Sequence, residues 1–224
     1  MDAIITAAGR NSRMIEDFTN LKMEPIHKLK LKIDDKPIII HTIENVMKAD
    51  IENITVMLGH FRDEIYGILD EYSMLDCVRI RENSNVDVAL SETILNALSG
   101  CSDCDYLFMA ADQPTISPET INNMINIYNS DSDKYNLVSV LARRKTGVLN
   151  SAEGLGMPFC CYGSLIYNYL KGANCNLNPI LRNMIKDGVK FYGIEAVDDV
   201  ELLNINHYSE YLKIKDIIEK SSGN

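Results

Sequence analysis

Short apolar runs ended by polar, glycine-containing loops alternate along this chain with segments whose apolar residues recur every three to four positions. The runs predict buried strands, and the spaced segments predict helices packed by one face. Strands are expected at residues 3–8, 54–58, 77–81, 106–111, 137–142, 157–162 and 189–194. Lys36-Pro37 reads as a helix opening, with proline at the first position and Ile39, Ile43, Val46 and Met47 inward. Phe61, Ile65, Ile68, Leu69 and Tyr72 keep helical spacing. Ser91 is placed to cap a helix carrying Ile94, Leu95 and Leu98. Ser117-Pro118 begins another, with Ile121, Met124, Ile125 and Tyr128 inward. Asn178-Pro179 opens a helix that stops at Gly188, and residues 208–220 form a closing helix. Residues 15–35 carry no clean period, and residues 200–203 read as strand-like.

Strands alternating with helices imply right-handed crossovers and a mainly parallel sheet covered on both faces. The expected class is α/β, a three-layer α/β/α Rossmann-like sandwich with a mostly parallel, mixed central sheet. The 224 residues fit one domain spanning 1–224, and 46% hydrophobic with 24% charged residues is enough for a sizeable core. The 22 basic against 32 acidic residues give a net charge of −10, which disfavours nucleic acid as a partner. No apolar run approaches the roughly 18–20 residues that span a bilayer, so no membrane partner is expected. The N-terminus does not read as a signal peptide. A cytoplasmic protein with six reduced, buried thiols is therefore expected.

In such sheets ligands bind at the carboxyl ends of the strands. Two loops then matter. The first, Ala7-Ala8-Gly9-Arg10-Asn11-Ser12-Arg13, puts small residues where a backbone must approach a ligand, with N–H groups and Arg13 available to an anion. Neither the dinucleotide glycine fingerprint nor the P-loop motif occurs. The second is Asp112-Gln113-Pro114, where a carboxylate at a strand end can hold Mg²⁺ against phosphate oxygens or simply cap a turn. Cys101 and Cys104 have ligand spacing, but Cys160 and Cys161 point to opposite faces of a strand, so no zinc site is expected. His27, His41, His60 and His207 show no metalloprotease spacing. The Arg143-Arg144-Lys145 cluster fits a solvated loop or a contact with an anionic acceptor.

The opening run from Ala3 to Met14 resembles the signature of nucleotidyltransferases of the nucleotide-diphospho-sugar transferase superfamily, and within it the molybdenum cofactor cytidylyl- and guanylyltransferases. The segment from Lys28 to Ile39 resembles the next conserved stretch of that family. By this register Lys28 is the signature lysine, with Lys22 as rival. The stretch from Arg13 to Lys28 is longer than the family spacing, and His27 stands where related enzymes often carry proline. Residues 83–91 occupy the place of the loop that closes over the nucleotide. Gly154-Leu155-Gly156-Met157-Pro158-Phe159 resembles the segment near the acceptor. Asn204-Ile205-Asn206-His207-Tyr208 resembles the late motif, with His207 and Tyr208 in place of its Thr-Pro.

The resemblance implies attack by a phosphate oxygen of an acceptor on the α-phosphorus of a nucleoside triphosphate, releasing pyrophosphate. It implies a nucleotide-binding half at about 1–115 and an acceptor-binding half at about 116–212. Ala7, Ala8, Gly9, Arg10, Asn11, Ser12, Asn83 and Ser91 would bind nucleotide. Arg13, Lys28 and Asp112 would be catalytic. Asp112 and Asn206, with Asn204 second to Asn206, would hold Mg²⁺, with Mn²⁺ as the alternative. The implied acceptor is molybdopterin, with CTP favoured and GTP next. The alternatives are a cytidylyl- or uridylyltransferase for a sugar or polyol phosphate, and a non-catalytic nucleotide-binding regulatory module.

Overall fold

The computed structural model of the chain describes residues 1–222. The first apolar run forms β1 (Asp2–Ala7), and the chain leaves it into α1 (Ser12–Asn20). That helix lies in the stretch without a clean period. Nine residues with only Met14 and Phe18 buried carry too few apolar positions to show one. A short turn at Lys28–Lys30 leads into a hairpin of β2 (Lys32–Ile33) and β3 (Lys36–Pro37), turned by Asp34 and Asp35 at φ 47° and 60°. Pro37 is thus the residue before α2 (Ile38–Met47), not its first helical position, and Met47 is exposed.

The order continues β4 (Ile54–Leu58), α3 (Arg62–Glu71), β5 (Arg79–Glu82), α4 (Leu90–Ala97), β6 (Asp105–Ala110), α5 (Pro118–Ser130), β7 (Leu137–Leu141), β8 (Gly147–Val148) and β9 (Phe159–Tyr162). It closes with α6 (Gly163–Leu170), α7 (Leu177–Lys186), β10 (Lys190–Ile194) and α8 (Tyr208–Ser222). Ser117 caps α5 by accepting from the Thr120 N–H, as its position predicts. Residues 200–203 are not a strand: Asp199–Leu202 is a 3₁₀ turn.

Eight strands form one sheet in the order β5-β4-β1-β6-β9-β7-β10-β8. Most pairs are parallel; β9 runs antiparallel to both β6 and β7, and β8 antiparallel to β10. Alternation along the strands divides the core. Ile5 and Met109 pack beneath α1, α2, α3, α5 and α8, whereas Ile4 and Phe108 pack against α4, α6 and α7. Cys160 and Cys161 fall in these two separate cores, opposed as expected. All six thiols are free, but Cys77 and Cys101 are exposed, so the expectation of uniform burial fails. The result is the three-layer α/β/α Rossmann-like fold with a mixed central sheet. Among the described residues no helix is long and apolar enough to cross a membrane.

Candidate active site

β1 and β6 are parallel neighbours, with Thr6 opposite Ala110, so their carboxyl ends open side by side. A cleft of about 380 Å³ lies there, within the range typical of small-molecule sites. Ala7, Ala8, Gly9, Arg10 and Arg13 line one wall, Lys28 another, and Asp112 with Asn206 the floor.

The phosphate-type loop is built differently from the sequence expectation. The left-handed residue is Asn11, at φ 58°, while Gly9 has open space where a side chain would stand. The close approach belongs to Gly59 at the end of β4, where a Cβ would lie 2.8 Å from that of Ala8. Asn11 and Ser12 do not line the cleft. Asn11 ties the loop to the next segment instead: its Nδ2 donates to the Ile26 carbonyl at 3.2 Å, and its Oδ1 accepts from the Lys28 N–H at 3.3 Å. Ser12 is the exposed first residue of α1. No side chain caps that helix and no acidic residue occupies its first turn, so its free N–H groups suit an anion. Arg10 reaches across to Asp87 at 2.9 Å, an exposed pair of little energetic weight.

Lys28, not Lys22, enters the cleft. Its Nζ pairs with the Asp112 carboxylate and donates to the Ile205 carbonyl at 3.1 Å. Lys22 is exposed on the turn after α1. Behind Asp112, Thr42 of α2 donates to the Ala111 carbonyl at 3.0 Å and Asn45 to that of Pro114 at 2.9 Å, fixing the loop. Gln113 is buried, donating to Met157 and Asn204 while accepting from the Ala110 N–H.

The two asparagines of the late motif separate cleanly. Asn204 Oδ1 accepts from Gln113 and from Arg143 Nη2, at 3.2 and 2.8 Å. Asn206 faces the cleft, and its side chain makes no hydrogen bond among the described residues. Its backbone is fixed by Glu210, whose Oε2 accepts from the N–H groups of Asn206 and His207 at 2.7 and 2.9 Å. Asp17 of α1 accepts from the Tyr208 N–H at 2.8 Å and His207 Nδ1 at 3.1 Å. The Tyr208 bond first, then His207, holds the Asp17 carboxyl below its usual range. Asp17 and Glu210 were missed in the sequence; a glutamate four residues after Asn206 was the available signal.

Asn83 and Ser91 require correction, because the structure places neither in the cleft. Asn83 is buried, bonded to Thr93 and Asn96 at 2.9 Å each. Ser91 does not cap α4 but sits within it, joining the Ala173 carbonyl and the Cys175 N–H. Val88, Ala89 and Leu90 supply that wall instead. Cys101 and Cys104 bring their sulfurs to 3.8 Å, and among the described residues no three His, Cys, Asp or Glu side chains gather as a metal cluster.

A second cavity, of about 370 Å³, shares Ala110, Asp112, Met157 and Asn206 with the first and runs past Arg143 and the Gly154-Leu155-Gly156 turn. Burial pushes the Arg143 guanidinium down from its usual value while Asp112 opposes that shift. Asp112 and Asn206 therefore stand where two cavities meet.

Residues 3–183 match the MobA-like NTP transferase domain. The chain belongs to this family. As a MobA-like NTP transferase it is a nucleotidyltransferase, similar to a nucleotidyl transferase from Methanothermobacter at 37% identity, with 98% of both chains covered and a TM-score of 0.89. It is 24% identical over 228 residues to the bifunctional protein GlmU of Clostridium botulinum, covering 99% of this chain. The chain spans 45% of that protein's length. The fold is also that of a UDP-glucose pyrophosphorylase solved with UDP-glucose, at a TM-score of 0.69, 15% identity and 98% of both chains.

Proposed function

We propose that this MobA-like NTP transferase binds a nucleoside triphosphate in the first cleft and a phosphorylated acceptor in the second. An acceptor phosphate oxygen attacks the α-phosphorus, and pyrophosphate leaves. The observation that carries this reading is the position of Asp112 and Asn206 at the junction of the two cavities. The acceptor phosphate is already ionised, so the work is positioning and charge neutralisation. The N–H groups around Gly9 and the start of α1 cradle the β- and γ-phosphates. Arg13 takes the leaving pyrophosphate. Lys28 Nζ, paired with Asp112, neutralises charge growing on the α-phosphate.

The donor set fits a hard divalent cation: the Asp112 carboxylate and the Asn206 amide offer oxygens to one cleft. These two residues would hold Mg²⁺, or Mn²⁺ in its place, and the ion would supply charge neutralisation to the phosphate oxygens.

For the substrates, the order of motifs from Ala7-Ala8-Gly9 to Asn206 supports molybdopterin as acceptor and CTP, then GTP, as donor. A sugar phosphate is the second reading, supported by the likeness to the UDP-glucose pyrophosphorylase. The deciding experiment measures pyrophosphate release from CTP, GTP, UTP and ATP, each offered molybdopterin and a panel of sugar 1-phosphates. Release with CTP and molybdopterin is expected. Release only with a sugar phosphate would replace the first reading by the second.

A further inference from the structure

His27 precedes Lys28 in the cleft wall and is 5% exposed. Its ring packs on Phe61 with centroids 4.7 Å apart. Nδ1 accepts the Leu29 N–H at 3.2 Å, which caps the Lys28–Lys30 turn. A ring nitrogen that accepts is unprotonated, so the proton of the neutral ring sits on Nε2. Burial first, and then neighbouring Lys28, lower the pKa of this histidine to about 4. Nε2 is therefore an N–H donor at any ordinary pH. It is buried, yet it has no hydrogen-bond partner among the described residues.

The polar group beside it belongs to the phosphate loop. The Gly9 backbone stands near enough to favour the charged ring, without completing a hydrogen bond. Gly9 is exposed, and a Cβ there would meet no other atom within 4 Å. The same two segments are already laced together on either side of His27, by Asn11 to Ile26 and by Lys28 to Asn11.

We propose that His27 is a positioning residue for this loop: with nucleotide bound, its Nε2–H donates to the Gly9 carbonyl and keeps that oxygen off the phosphates. A trans peptide sets the Arg10 N–H opposite the Gly9 carbonyl. Fixing the carbonyl on His27 therefore fixes where that N–H points, beside the uncapped first turn of α1. The proposal rests on the reading that the loop takes the phosphates of a nucleotide.

Two variants separate the two nitrogens. His27→Gln keeps an amide N–H near the Nε2 position. His27→Asn keeps an acceptor near Nδ1 and leaves nothing at Nε2. Titration calorimetry of the full chain with CTP and with GTP, alongside melting temperatures, is the measurement. His27→Asn should weaken the bound triphosphate about fivefold, and His27→Gln should stay within about twofold of wild type. Equal binding by His27→Asn, or an equal loss in both variants, overturns the proposal. Arg13→Ala in the same titration isolates the parent reading. If Arg13→Ala weakens binding and His27→Asn does not, only the role of His27 falls. If wild type binds neither triphosphate, both fall. Should either variant unfold, the ¹⁵N resonance of Nε2 in the wild-type protein decides. It should move to a hydrogen-bonded shift on adding triphosphate, and an unmoved resonance overturns the proposal.

Discussion

Lys28, in the first cleft, neutralises Asp112, which stands at the junction of the cavities; their side chains are 18% and 15% exposed. With Lys28 acting on the α-phosphate, Lys28→Ala should lower kcat by about 10²-fold or more, and Lys22→Ala by far less. Steady-state pyrophosphate release checks this; the reverse ranking would assign the lysine to the wrong register. His27 gives a pH test. Its pKa falls from 6.5 to about 4 on folding, so between those values the unfolded chain binds the extra proton. Its contribution to stability is present above pH 6.5 and is lost as pH falls to 4, by up to about 3 kcal/mol. Glu64 opposes the shift, while Lys28 and Lys30 support it. Chemical denaturation across this window should show a weaker acid dependence in His27→Gln than in wild type; identical slopes would contradict it. At this scale the meeting of Gly9, Arg13, Lys28 and Asp112 at one cleft was legible, because charge and small size stand out beside strand ends. Asn83 and Ser91 lie outside the cleft: Asn83 bonds the side chains of Thr93 and Asn96, Ser91 bonds the backbone of Ala173 and Cys175, and in sequence such polar residues look like ones that bind a ligand.

Among the elements, β1, β4, β6 and β7 were legible, since four or five buried residues between polar loops leave few alternatives. α1 and the β2–β3 hairpin were not, because one helix buries two residues and each strand of the hairpin spans only two. The start of α8 is firmly anchored despite the replaced Thr-Pro. Glu210 caps the turn that presents Asn206, and Asp17 anchors the same turn from α1. Glu210→Ala should cost about 1 kcal/mol of stability, typical of a lost helix cap. It should also raise the Mg²⁺ concentration needed for half-maximal turnover, because Asn206 loses its backbone anchor. Unchanged metal dependence in a destabilised variant would restrict Glu210 to a stability role.

Across the whole molecule, a chain of net charge −10 gathers cations beside the second cavity. Arg143 forms the wall between the second cavity and a further groove lined by Arg144 and Lys145. Arg144 pairs only with exposed Glu153 among the described residues, which leaves this face available to an anion. The double substitution Arg144→Glu with Lys145→Glu should raise the KM for the phosphorylated acceptor several-fold and leave that for triphosphate unchanged. Equal effects on both substrates would place the acceptor elsewhere.

The proposed chemistry at the meeting point of the two cavities rests above all on Asp112. Asp112→Asn keeps the size of the side chain and removes its charge. Metal-dependent pyrophosphate release by Asp112→Asn and wild type, at matched folding by circular dichroism, is the direct measurement. The expected result is a loss of at least about 10²-fold with the fold intact. Undiminished release by Asp112→Asn, or triphosphate binding without release by wild type across the whole acceptor panel, would contradict this placement of the chemistry.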